Sequence, residues 1–283
     1  MERKQNNQTT KTGNLKLKTL FASIAAAGLA LAVRAAETNE LEEADSGGLS
    51  VEVSVDVLSD YVWRGKICNG NPVWQPSATL AYEYGDFGKV SANVWASMDL
   101  THRRGTMNAS RHACGIQELD YTLAYANSFG PVDVEIGHIW YSFPYGNGRS
   151  TEELYGTVAY NNPIATPSLT VYWDYLDTAG NDVSAVYATF ALSRDFEPVE
   201  KLTVTPSAAL SFADHAYTGS SGGTEATDLT IGLAASYAVT EWLSLGAQLN
   251  YTWTPSRTLR NEGYMGEGEH QIVWGGVSAK LSF

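Results

Sequence analysis

HQIVWGGVSAKLSF, the run from His270 to Phe283, alternates from end to end. Val273, Gly275, Val277, Ala279, Leu281 and Phe283 share one face, and Trp274, Gly276, Ser278, Lys280 and Ser282 share the other. Side chains along a strand point to opposite faces with a period of two, so this strand presents an apolar row to something greasy and a mostly polar row to something wet. The run reaches an aromatic, Phe283, which is expected to be the closing residue of the last strand.

The same alternation runs back through the chain. Val51, Val53, Val55, Val57, Tyr61 and Trp63 form one row, with Glu52, Ser54, Asp56, Asp60 and Arg64 facing the other way. A second strand is expected from Trp74 to Tyr84 and a third from Lys89 to Leu100. Later ones fall near 116–128, 132–143, 152–161, 168–177, 183–193, 201–213, 227–239, 242–254 and 270–283. In 183–193 two phases compete for the apolar face: Val186, Ala188, Phe190 and Leu192 against Val183, Ala185, Tyr187 and Ala191. These make twelve segments. Strands of roughly 9 to 14 residues suit tilted bilayer crossings, and an even count returns both ends of the chain to one side.

The joins divide into two classes by position. Residues 65–72, 101–115, 144–151, 178–182, 214–226 and 255–269 are mostly long and polar, while Gly85 to Gly88, Phe129 to Pro131, 161–167, 194–200 and Thr240-Glu241 are mostly shorter and turn-like. Long loops on one side and short turns on the other is the asymmetry of a bacterial outer-membrane barrel. The expected fold is therefore all-β: a transmembrane antiparallel β-barrel of about twelve strands over residues 50–283, with outer-membrane lipid as its surroundings. Its last strand would close on its first, and Phe283 resembles the terminal aromatic that the barrel-insertion machinery reads. Aromatics at row ends suit the two headgroup levels, with Tyr61, Trp63 and Trp74 expected at the external rim and Tyr82, Tyr84, Tyr125, Trp242 and Phe283 at the periplasmic one.

The start of the chain agrees with export. Arg3, Lys4, Lys11, Lys16 and Lys18 precede an apolar run from Leu20 to Val33, which is too short to span a bilayer. A basic region, a short apolar region and small residues before a cut after Ala35 describe a cleaved signal peptide over 1–35. The acidic stretch 36–49 reads as a flexible periplasmic leader.

Composition narrows the function classes. The 283 residues carry 18 Lys and Arg against 31 Asp and Glu, a net charge of −13, and loss of the basic signal makes the remainder more acidic still. Such a surface repels nucleic acid. A mean hydropathy of −0.19 excludes a helical membrane protein but not a barrel, whose strands are only half apolar. Cys68 and Cys114 fall in the first external loop and at the end of the second, flanking one hairpin, so a disulfide between them is expected in an oxidising compartment. Neither has a second Cys or His at metal-ligand spacing, and nothing calls for a cofactor.

Val57-Leu58-Ser59-Asp60-Tyr61-Val62-Trp63-Arg64-Gly65, followed by Asn71-Pro72 and the strand to Tyr84, resembles the opening of the Gcw-type family of bacterial outer-membrane proteins, whose members read S-D-Y-x-x-R-G and then a short polar loop. The chain departs from that pattern at Lys66-Ile67-Cys68, where a polar run is usual. The resemblance implies a porin-like barrel of similar size and leaves the activity undefined.

If the lumen is open, its wall is acidic. The pore-lining candidates are Asp56, Asp60, Asp99, Glu118, Asp120, Glu135 and Asp174, with Arg64 among the few opposing cations. Acidic rings favour cations, so the expected function is a porin-like passive channel for small solutes with cation preference. Large inward side chains such as Trp95 and Trp274 are able to block so narrow a barrel. Asp60 and Arg64, four residues apart on one face, are expected to form a structural ion pair. The alternatives are a non-conducting structural or adhesion barrel and an outer-membrane hydrolase. For the hydrolase the candidates are Asp99, His102, Ser110 and His112 in one loop and Asp214 with His215 in another, but none sits in a recognisable motif and the chain is not expected to be an enzyme.

Overall fold

The computed structural model describes residues 48–101, 115–144, 150–176, 184–261 and 270–283. The expected signal peptide and nearly all of the expected leader lie outside the described residues, as do His102, Ser110, His112 and Cys114.

Twelve long strands form the wall. They are β1 (Leu49–Leu58), β2 (Val73–Glu83), β3 (Lys89–Asp99), β4 (Ile116–Phe129), β5 (Val132–Ser142), β6 (Thr151–Tyr160), β7 (Thr166–Asp174), β8 (Ala185–Ser193), β9 (Leu202–Ala213), β10 (Glu225–Ala238), β11 (Leu243–Trp253) and β12 (Gln271–Ser282). Each pairs antiparallel with its neighbour in sequence, and β1 also pairs with β12, so the ladder closes on itself. At the seam Val53 faces Leu281 and Val57 faces Val277. Val51 and Phe283 exchange both backbone bonds, at 3.0 and 2.9 Å. Closure leaves no barrel edge unpaired, which is what a β-structure in lipid requires.

The apolar rows face outward. Ile136, Leu123, Leu249 and Val273 are 62%, 58%, 58% and 64% exposed, values that only an apolar surrounding makes favourable for a whole belt. On β8, Val186, Phe190 and Leu192 are exposed and Tyr187 is buried, which settles the phase that the sequence left open. Tyr82, Tyr84, Tyr125 and Trp242 are exposed at the end of the barrel that carries the short turns. Inward rows meet across strands through hydroxyls: Thr157 with Thr170 at 2.9 Å, Thr189 with Ser211 at 3.1 Å and Thr230 with Thr252 at 2.9 Å. Such cross-strand pairs hold the polar wall together without needing charge.

One stretch departs from the expected pattern. β1 ends at Leu58, five residues or about 17 Å of extended chain short of the expected Trp63, and residues Tyr61–Trp63 and Lys66–Asn69 form a separate two-stranded hairpin that pairs with no barrel strand among the described residues. Tyr61 and Trp63 are therefore not on an outer rim. Tyr61, Cys68, Leu58 and Val73 are buried together against Trp63, Trp95 and Trp274, the last two being inward residues of β3 and β12. The hairpin lies inside the barrel.

Candidate lumenal site

Two residues turn this hairpin. Trp63 pairs with Lys66, leaving Arg64-Gly65 as a two-residue loop with φ of 49° and 74°. Positive φ at both positions is the type I′ turn, the twist that matches a tight hairpin. Glycine at the second position meets a further demand: a Cβ there would come within 2.7 Å of Asp228 Cβ and 2.9 Å of Thr254 Oγ1. Thr254 Oγ1 donates to the Gly65 carbonyl at 2.7 Å, fixing the tip against the far wall. Arg64 holds a left-handed conformation that costs a non-glycine residue about 1–2 kcal/mol, so its surroundings must favour it.

They do so in three ways. The guanidinium donates twice to Glu153 of β6, Nη1 to Oε1 and Nη2 to Oε2, both at 2.7 Å, and the two side chains are 6% and 5% exposed. Its Cζ stands 4.4 Å from the ring centres of Trp63, Tyr172 and Tyr187, and 5.8 Å from that of Tyr217. A planar cation between aromatic faces gains from both stacking and the ring quadrupoles. The rings and the carboxylate are themselves held: Tyr141 Oη donates to Glu153 Oε2 at 2.9 Å, and Tyr187 Oη donates to Asp228 Oδ1 at 2.6 Å. Asp228 also accepts from Thr227 at 3.0 Å and Ser211 at 3.3 Å. Tyr217 belongs to a short helix, His215–Thr218, in the loop after β9. Burial pushes its phenol up while Arg64 pulls it down, with a net upward shift, so it offers a neutral ring.

The returning arm of the hairpin is anchored separately. Asn69, fully buried, donates through Nδ2 to Asp99 Oδ2 and Gln117 Oε1, both at 2.9 Å. Its Oδ1 accepts from the Asn71 backbone at 2.9 Å. Burial, reinforced by Glu118, pushes the Cys68 thiol up and away from its reactive thiolate form.

Next to the hairpin lies a cavity of about 520 Å³. Arg64, Trp95, Asp120, Tyr172, Asp228 and Trp274 are among its lining residues, drawn from all sides of the wall. Two further cavities, of about 770 and 310 Å³, lie toward the turn end, one beside Glu83, Lys89 and Glu135, the other beside Asp56 and Lys280.

The residues singled out from the sequence thus separate into groups. Asp99 and Glu118 are buried at the hairpin, and Asp120 lines the cavity beside Arg64 with Oδ1 buried and unpaired. Asp174, near the loop end of β7, accepts from Thr151 at 2.8 Å. Glu135 accepts from Tyr155 at 2.6 Å and belongs, like Asp56, to the turn-end cavities. Asp60 is half-buried where the chain leaves the wall. The expected Asp60–Arg64 pair is replaced by Arg64–Glu153, because the chain turns inward at Ser59 and carries Arg64 across the lumen. Asp214 caps the short helix, accepting from the Tyr217 backbone at 2.9 Å and from that of Val186 at 3.1 Å. Asp228, Tyr172, Tyr187 and Tyr217 come to Arg64 from positions more than a hundred residues along the chain, where no sequence spacing links them to it. The Arg-Gly dipeptide between two apolar runs was the signal for the hairpin.

No family model matches the sequence, and no curated protein matches it. Solved structures do. An outer-membrane channel from Pseudomonas putida F1 aligns with a TM-score of 0.50 and 9% identity over 83% of this chain and 96% of its own. The NanC porin aligns at 0.48 and 8% over 82% and 98%, and the KdgM porin at 0.45 and 11% over 83% and 99%. At such identities the likeness is one of fold. The chain is a closed antiparallel barrel similar in fold to the Pseudomonas channel, and it carries the in-folded hairpin within its own lumen.

Proposed function

We propose that the protein is an integral outer-membrane barrel acting as a porin-like passive channel for small solutes. The observation that carries this reading is the sidedness of the closed ring: a continuous apolar belt outside and hydroxyls, amides and carboxylates inside. Lipid accepts the first and water the second. The loops then face outward from the cell and the short turns face the periplasm. Residues 1–35 serve as the export signal, 36–49 as the leader, and the β1–β12 strand pair ending at Phe283 is where the insertion machinery engages. The S-D-Y-x-x-R-G match supports placing the chain with the Gcw-type barrels. A Cys68–Cys114 bridge would staple the hairpin to the next loop, and peptide mapping without reductant tests it.

Within this reading the solute path favours cations, because lumen-facing carboxylates such as Asp56, Asp120, Glu135 and Asp174 outnumber Arg64, Lys89 and Lys280. Planar-bilayer recording across a salt gradient tests both parts. Discrete conductance with a cation-favouring reversal potential is expected. An anion-favouring potential would sink the selectivity, and silence from folded, heat-modifiable protein would sink the channel in favour of the structural barrel, a reading that the hairpin within the lumen also supports.

A further inference from the structure

The surroundings of Arg64 amount to a receptor. One wall carboxylate, Glu153, presents both oxygens edge-on at 2.7 Å, two wall rings, Tyr172 and Tyr187, stand at 4.4 Å from the central carbon, and Trp63 of the hairpin adds a third at the same distance. Glu153 and Tyr187 are themselves oriented by Tyr141 and Asp228. Nothing in this arrangement needs the rest of the arginine: bidentate bonding and stacking are both made by the planar head. The occupant also arrives on a hairpin that shares no ladder with the wall, so withdrawing its tip breaks the Thr254–Gly65 bond and no barrel ladder. Asp120 stands beside the same cavity with one oxygen buried and unpaired, a polar acceptor next to the site.

We propose that this is a lumenal binding site for planar organic cations of the guanidinium class, which the chain keeps filled with its own Arg64. A free guanidinium solute and the Arg64 side chain are then competitors, and the hairpin is a tethered occupant that sets which cations gain access. The proposal extends the channel reading but its binding step stands apart from conduction.

Methylguanidinium is the probe. Arg64→Ala empties the site while leaving Trp63, Tyr172, Tyr187 and Glu153. In detergent, methylguanidinium at millimolar concentration is expected to raise the melting temperature of R64A in a saturable manner and to change its tryptophan fluorescence, with no effect on the parent protein. Sodium chloride and tetramethylammonium, which lack the planar donor fork, are expected to do neither. The double variant R64A/E153Q is expected to lose the response. If R64A folds poorly, its refolding yield with and without methylguanidinium reads the same exchange. Equal yields, or a folded R64A that responds to methylguanidinium no more than to sodium, overturn the proposal. Binding without conductance in either protein removes the channel and leaves the site. Conductance of R64A without binding or block by methylguanidinium removes the site and leaves the channel.

Discussion

The two ends of the lumen hold ion pairs of different kinds. At the hairpin, Arg64 and Glu153 are 6% and 5% exposed, make two bonds and are walled by rings. At the turn end, Lys280 and Glu52 approach within 3.3 Å but remain 47% and 45% exposed. The first pair has given up its water and depends on its partners; the second keeps water and depends on little. Charge in this barrel thus has two uses. Near the loops it fixes a segment in place, and near the turns it hydrates a wall.

Glu153→Ala is the sharpest way to break that contrast. It strands Arg64 without its carboxylate, and a loss of about 3–5 kcal/mol in denaturant unfolding from detergent is expected, together with displacement of the hairpin and a larger conductance. Gly65→Ala acts on the same tip through the backbone. The positive φ and the 2.7 Å approach to Asp228 are expected to cost about 2 kcal/mol in the same unfolding measurement. Tyr187→Phe keeps the ring over Arg64 and removes the hydroxyl given to Asp228, for about 1.5 kcal/mol. Glu52→Gln is the control at the wet end. A change under about 0.5 kcal/mol, vanishing at high salt, is expected there, and a loss as large as that of E153A would erase the distinction between the two ends.

How much of this was legible from residues alone differs between wall and lumen. The wall was legible because lipid and water act on every second residue over long runs: Val273, Val277 and Leu281 fix a face wherever they are read. Boundaries shifted by only a residue or two in most strands, as in β5, expected at 132–143 and found at Val132–Ser142. The hairpin was illegible for the same reason. Tyr61 and Trp63 continue the alternation of Val55 and Val57, since a segment buried in the lumen also has two unlike faces, and period says nothing about which wall a strand joins. What marked the departure was local chemistry: Ser59-Asp60 at the break and Arg64-Gly65 at the tip. The site needed the third dimension. Arg64 meets Glu153 across 89 residues of sequence and Thr254 meets Gly65 across 189, separations at which no spacing argument operates.

The exchange of backbone bonds between Val51 and Phe283 has a bearing on assembly. The ring joins the earliest wall strand to the last one, so every intermediate short of the final strand carries two open edges, each able to pair with a stray chain. The closing contact spans nearly the whole described chain, which makes it the least local pairing in the wall. A chain still lacking β12 is an open sheet with a greasy face and two unpaired edges, the kind of surface on which stray chains aggregate.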